Sequence, residues 1–169
     1  MTINIDLSNY KALVTGVSSG IGGLAYAGVP VTHRDVNHAV TFITGHGVTG
    51  EVPDGLDWPS LAKGAPVLVI YMALKHLDVI AGKLIAAGRA SHEPTAVVSR
   101  AATPAQRVLE TTLGSAAADV AAAGIEPPAI VVVGEAVRLR AGLDWLGALS
   151  GRVLDADPLR LRRRHETAS

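Results

Sequence analysis

The chain has 169 residues, with 15 Lys plus Arg against 15 Asp plus Glu and no cysteine. Zero formal charge argues against a general nucleic-acid binder, which needs an excess of cations to neutralise phosphates. The lack of thiols excludes disulfides, thiolate catalysis and Cys-ligated metals, so no metal site is expected. At 49% hydrophobic and 18% charged, the composition is that of a chain that buries a core rather than staying disordered. With only 4% aromatics, that core must be aliphatic. No apolar run approaches the roughly 20 residues of a membrane span. The opening MTINIDLSNY lacks the basic-then-apolar layout of a secretory signal. A cytoplasmic protein is expected.

Short β-branched runs alternate with longer Ala/Leu-rich stretches, the pattern of an α/β fold. Residues 11–14 (KALV) read as a first strand and 39–44 (AVTFIT) as a second. Residues 66–71 (PVLVIY) are apolar on both faces and so are expected to be buried on both. Residues 95–99 (TAVVS) and 129–133 (AIVVV) continue the series. Residues 74–87 predict a helix, because Leu74, Leu77, Ile80, Leu84 and Ile85 recur at helical spacing and Gly88 stands at the C-terminal cap. A second helix is predicted over 115–123, with Ser115 as N-cap and Gly124 just past its end. Residues 106–113 (QRVLETTL) fit either period, and their Val and Thr lean them towards a strand. Residues 47–64 read as a polar loop long enough to line a site. The tail from Asp155 carries Arg160, Arg162, Arg163 and Arg164 and reads as a solvated, flexible end.

The run from Thr15 to Gly22 spells T-G-x-x-x-G-I-G after a strand. The stretch LSNYKALVTGVSSGIG resembles the opening of short-chain dehydrogenases/reductases, where such glycines turn a strand into a helix whose start faces a nucleotide pyrophosphate. That resemblance implies a nicotinamide cofactor. A dinucleotide fold would place a second strand ~20 residues on, but GLAYAGVPVTHRDVNHAV reads as a loop containing Pro30. Tyr71 and Lys75 spell Tyr-x-x-x-Lys, yet Tyr71 ends a strand and Lys75 opens a helix. Two such side chains point differently from a pair set within one helix.

A second resemblance covers most of the chain. Gly16-Val17-Ser18-Ser19 and the block from Ala25 to Arg34 (AYAGVPVTHR) are followed by Thr44-Gly45-His46, then Leu56-Asp57-Trp58, then Tyr71-Met72. Thr103-Pro104-Ala105-Gln106-Arg107-Val108 and the block from Pro128 to Val137 (PAIVVVGEAV) complete the series. In order and spacing these resemble the carboxy-terminal part of the uroporphyrinogen-III C-methyltransferases, in the tetrapyrrole methylase family. The resemblance implies an α/β fold, here a methylase C-terminal domain over residues 28–149. Its sheet would be mixed, of about five strands, with 106–113 as an antiparallel member. Residues 1–27 would form a βα appendage and residues 150–169 a basic tail.

The resemblance further implies a methyltransferase that uses S-adenosyl-L-methionine on uroporphyrinogen III, making precorrin-2 for sirohaem and cobalamin, and working as a homodimer. The methyl donor is already electrophilic, so the protein's part is alignment and handling of the pyrrole proton. By the resemblance, Ser18, Ser19, Met72, Ala101 and Ala102 contact the cofactor. Thr32, His33, Arg34 and His46 lie towards the tetrapyrrole, whose carboxylates an Arg could pair. No catalytic base is implied. Ser18 or Ser19 also suits a plain N-cap, Met72 suits core filling, and Arg34 suits a loop anchor.

The family's amino-terminal domain carries GxGxGD, YDxLV and GGDP segments that are not found here. The 15 residues in their place, resembling a reductase start, lead to the expectation of a truncated or rearranged chain with poor activity alone. Two other functions follow from the same residues: a nicotinamide-dependent reductase fragment, or a non-enzymatic dimerisation module.

Overall fold

The computed structural model describes residues 21–47 and 50–160. The strand expected at 11–14 lies outside them. Five strands form one mixed sheet in the order β1-β2-β5-β3-β4. β1 (Thr41–Thr44) runs parallel to β2 (Leu68–Tyr71), pairing Thr44 with Tyr71. β5 (Ala129–Val133) runs antiparallel between β2 and β3 (Pro94–Ser99). β4 (Arg107–Thr112) closes the far edge, antiparallel to β3. The mixed five-stranded sheet expected from the sequence is therefore present, and residues 106–113 resolve as its antiparallel edge.

Side chains alternate between two buried layers. Leu68, Ile70, Val97, Val131 and Val133 pack on one face, with Leu77, Ile80 and Leu84 of α3 (Leu77–Ala86) and Ala116 and Val120 of α4 (Ala116–Ala122). Val67, Val69, Ala96, Val98, Ile130 and Val132 pack on the other. There they meet Leu24 of α1 (Ile21–Tyr26), Ala27 and Val29, and Ala136, Val137 and Leu139 of a 3-10 turn (Glu135–Leu139). Covering both faces accounts for the uninterrupted apolar letters of β2 and β5 and for the full burial of β3, Thr95 and Ser99 included.

Two elements differ from the sequence reading. The helix predicted over 74–87 opens as a 3-10 turn (Leu74–His76) before α3 begins. The polar loop of 47–64 ends in a helix, α2 (Trp58–Gly64). Asp57 caps α2 by accepting from the Ser60 amide at 3.1 Å and the Ser60 hydroxyl at 2.6 Å, and Pro59 stands in the first turn, where its missing N–H costs nothing. The two cap hydrogen bonds hold the Asp57 carboxyl below the ordinary carboxylate range. Gly88 and Gly124 adopt φ of +108° and +58° just past α3 and α4, as the helix-stop reading required. Ser115 precedes α4, but its side chain makes no cap hydrogen bond.

After Gly134 come the 3-10 turn, α5 (Arg140–Leu143) and α6 (Trp145–Leu149). A buried cluster of ionic groups fixes them to the sheet and to α1. Arg140 donates to the Ala27 carbonyl at 3.0 Å and to Glu110 of β4 at 2.5 Å, and pairs with Asp144 at 2.8 Å. Arg152 adds a second cation to Asp144 at 2.7 Å. The Trp145 indole N–H donates to the Tyr26 carbonyl at 2.8 Å, and the two rings meet edge to face, 4.9 Å apart. Asp155 donates its amide to the Ala141 carbonyl at 2.8 Å. Among the described residues, no helix is long and apolar enough to cross a membrane.

Candidate functional site

The register brings one set of strand ends together. β2 finishes at Tyr71 opposite Ile130, and β3 finishes at Ser99 opposite Ala129. The segments leaving β2 and β3 and the segment entering β5 therefore emerge side by side. Between them lies a cavity of about 440 Å³. Tyr71, Met72, Leu74 and Lys75 form one wall, and Val98 and Ala101 form another. The turn into β5, from Pro127 to Ile130, forms a third, and His46, arriving from β1, stands at its side.

The backbone around this cavity is unusual. Met72, Arg100 and Ala102 adopt φ of +52°, +49° and +59°, a left-handed conformation that costs an L-residue about 1 kcal/mol or more. Three such residues just past the ends of β2 and β3, the two strands that flank β5, mark a place where the surroundings hold a strained conformation in place. Two sequence blocks explain how Met72 is held. The Gly45 amide donates to the Tyr71 carbonyl at 2.6 Å. Gly45 lies so close that an added Cβ would sit 2.6 Å from the Ala73 Cα. The His46 ring then reaches the Met72 carbonyl, with Nδ1 donating at 2.8 Å. The Thr-Gly-His and Tyr-Met blocks, distant in sequence, thus form one unit, with the Met72 side chain 52% exposed into the cavity.

On the β3 side, Ala101 is buried and lines the cavity, whereas Ala102 does not. The Ala102 amide donates to Gln106 Oε1 at 2.8 Å, which fixes the turn between β3 and β4. Thr103 donates its hydroxyl to the Arg100 carbonyl at 2.7 Å. Arg100 pairs with Glu126 at 2.6 Å, and the Ser99 hydroxyl donates to the Glu126 carbonyl at 2.5 Å. Burial pushes the Tyr71 phenol above its ordinary range, and its ring stacks on Phe42, centroids 6.1 Å apart.

Of the residues singled out in the sequence, Met72, Ala101 and His46 meet at this cavity. Thr32, His33 and Arg34 do not line it. They sit on a tight turn closed by mutual backbone hydrogen bonds between His33 and Asn37, at 3.0 and 2.9 Å. Thr32 and Arg34 are exposed, and Asn37 is buried beneath the turn, donating to the Val31 carbonyl at 2.6 Å. Ser18 and Ser19 lie outside the described residues. Sequence reasoning missed Leu74, Lys75 and Pro127 as lining residues. Tyr71 and Lys75 do depart in different elements, as their positions implied, yet both reach the cavity because the chain turns sharply at Met72.

A largely apolar cleft at strand ends, with a few polar groups along one side, can hold a flat organic ligand and orient it. The class such a fold and site define is that of a small-molecule-binding domain built on a covered α/β sheet. The comparisons make the class specific. The model of the Tetrapyrrole (Corrin/Porphyrin) Methylases matches residues 11–117, and the chain belongs to that family. The match starts at residue 11 and so takes in the glycine-rich stretch from Gly16 to Gly22. The reductase-like reading of the first residues is therefore unsupported. The glycine and the two hydroxyls of Gly16-Val17-Ser18-Ser19 are shared by both motifs, and this is why they resembled a nucleotide turn.

The chain is 66% identical over 146 residues to a uroporphyrinogen-III C-methyltransferase of Sinorhizobium, covering 86% of this chain and 52% of that protein. It is 43% identical to the siroheme synthase of Stutzerimonas stutzeri, covering 79% of this chain and 28% of that one. It thus spans about half the length of the first relative and less of the second. Among solved structures it resembles the uroporphyrin-III C-methyltransferase of Thermus thermophilus in complex with S-adenosylhomocysteine. That likeness has 35% identity and a TM-score of 0.57, covering 69% of this chain and 50% of that one. A cobalt-precorrin-4 methyltransferase, at 23% identity and a TM-score of 0.61, shares the fold. Neither the reductase reading nor the non-enzymatic module finds support among these relatives.

Proposed function

We propose that the chain serves S-adenosyl-L-methionine-dependent C-methylation of uroporphyrinogen III, giving precorrin-2 for sirohaem and cobalamin. The observation that carries this is the convergence of Met72, Ala101 and His46 on one cavity at the strand ends, in a chain 66% identical to a uroporphyrinogen-III C-methyltransferase.

The lining fits the cofactor's chemistry. Val98, Ala101, Pro128 and Ile130 offer apolar surface to the faces of a purine. Ala101 has only a methyl, which lets a ring approach the turn after β3. Ser18 and Ser19 would offer hydroxyls and amides to the methionine carboxylate. When bound, the cofactor supplies an electrophilic methyl group on a sulfonium. The chain's own residues bind and orient. Met72 presents a soft, polarisable side chain beside the reacting region. His46 holds the Met72 carbonyl, and therefore the strained turn, in place. Tyr71 keeps its proton well above neutral pH and can donate a hydrogen bond from the wall. Thr32, His33 and Arg34, on the exposed turn, are offered to the carboxylates of the tetrapyrrole. Association into a homodimer belongs to the same proposal.

Isothermal titration of the full chain with S-adenosylhomocysteine and with NADP tests the reading. Binding of the former and not the latter is expected. Met72→Asp places a carboxylate against an apolar wall and is expected to weaken that binding by at least about tenfold. Binding of NADP alone overturns the proposal.

A further inference from the structure

We propose that Lys75 is the group of this cavity that recognises a ligand carboxylate; the inference rests on the methylase reading above. Lys75 is the middle residue of the 3-10 turn that follows the strained Met72 and lines the cavity beside Tyr71 and Leu74. Among the described residues, the only hydrogen bond of its ammonium is to the Gly50 carbonyl, at the long distance of 3.5 Å. That carbonyl is already served by His76, whose Nε2 donates at 2.7 Å. Gly50 therefore does not depend on Lys75, and among the described residues at least two of the three donors of the ammonium are left for something else.

The charge balance around the cavity points the same way. The carboxylate adjoining the Pro127 wall is Glu126, and Arg100 already pairs with it at 2.6 Å. The lining side chains carry no carboxylate, and among the described residues Lys75 forms no ion pair, so its positive charge stands beside an otherwise apolar wall. Lys75 is exposed at the rim of the cavity; a ligand that covers the apolar walls displaces water beside it, and there a charge-assisted hydrogen bond to an anionic ligand group gains strength. The chemistry selected is a carboxylate attached to a body that covers the apolar walls. Two sources offer it: the amino-acid end of the methyl donor, and the acidic side chains of the tetrapyrrole.

The test uses the full chain, wild type and as Lys75→Gln and Lys75→Arg, with far-ultraviolet circular dichroism confirming that each folds. Three probes are titrated: S-adenosylhomocysteine, 5′-methylthioadenosine, which lacks the amino-acid carboxylate, and uroporphyrin III. Lys75→Gln is expected to weaken at least one carboxylate-bearing probe by about tenfold, and Lys75→Arg to restore most of that loss. 5′-Methylthioadenosine is expected to bind both proteins alike. Loss confined to S-adenosylhomocysteine assigns Lys75 to the donor, and loss confined to uroporphyrin assigns it to the acceptor. Unchanged affinity for both, or an equal loss for 5′-methylthioadenosine, overturns the inference while leaving the methylase reading intact. A wild-type chain that binds none of the three overturns both.

Discussion

The two ends of the sheet are built from the same strands and are finished in opposite ways. At the end where β2 and β3 begin, the chain closes on itself. Arg89, only 7% exposed, donates to the Ala65 carbonyl at 2.7 Å and makes a two-pronged pair with Glu93. The Gly134 amide donates to the Pro94 carbonyl at 2.9 Å, and the Leu113 amide to the Glu93 carbonyl at 2.9 Å. Gly134 sits at φ +142°, where a Cβ would lie 2.6 Å from the Pro66 carbonyl oxygen, so the strand ends there are drawn tightly together. At the other end, Met72, Arg100 and Ala102 hold left-handed conformations, and a cavity opens between the emerging segments. The difference teaches where each end spends its interactions. One end satisfies its polar groups internally and carries stability. The other holds strain and leaves a largely apolar space that a ligand can fill.

The largest expected effect compares the ion pairs of the two ends. Arg89→Met leaves Glu93 and a carbonyl without their buried partner, and is expected to cost about 3 kcal/mol of unfolding free energy. Arg100→Met breaks a pair whose side chains are 44% and 68% exposed, and should cost less than about 1 kcal/mol. Urea unfolding of both variants, with equal m-values, checks this. Equal losses would show that the two ends do not differ in how they carry stability.

Much of this division was legible in the letters, and some was not. The continuous apolar runs of 66–71 and 129–133 announced strands covered on both faces, and Gly88 and Gly124 announced helix ends, because both signals are local. Helix α2 was hidden because its apolar residues, Trp58 and Leu61, are few, and its start depends on the Asp57 side chain meeting Ser60. The short helices α5 and α6 owe their place to Arg140, Asp144 and Arg152, partners up to 113 residues from what they hold, as with Arg140 and the Ala27 carbonyl. Periodicity carries no trace of such contacts. At the site, Met72, Ala101 and His46 were read through motif resemblance, and their meeting follows from strand register. Lys75 escaped because its relevance depends on the turn at Met72, a left-handed residue that no propensity favours.

A smaller effect concerns the staple that belongs to neither end. Asp144 is buried, which works against its charge, yet the Gly147 amide, Arg140 and Arg152 together hold its carboxyl below the ordinary range. A folded-state value lowered in this way contributes stability above the unfolded-state value, and that contribution is lost as the pH falls through the folded-state value. The urea midpoint is therefore expected to drop on acidification below the ordinary carboxylate range. Asp144→Asn should be less stable at neutral pH and show a shallower acid limb. Because Arg140 still ties the residue after α1 to β4, and none of these groups lines the cavity, the cavity end should keep its ligand affinity in this variant while global stability falls. A parallel loss of S-adenosylhomocysteine binding at pH 7 would show that the staple and the site are coupled.

The smallest expected effect reverses the usual sign and reads the strain directly. Ala102 holds φ +59° next to the cavity without lining it. The left-handed conformation costs an alanine about 1 kcal/mol relative to glycine. Replacing it with Gly removes that cost but frees the unfolded chain, which returns part of the gain. Ala102→Gly is therefore expected to stabilise the fold by about 0.5 kcal/mol, with the amide still donating to Gln106 and the m-value unchanged. The measurement is the urea midpoint, paired with titration of S-adenosylhomocysteine. A higher midpoint with weaker binding would mean that the strained turn presets Ala101 for its ligand, and that glycine trades this order for stability. A lower midpoint would mean that the left-handed residues at this end store no strain, and the contrast between the two ends would then rest on the ion pairs alone.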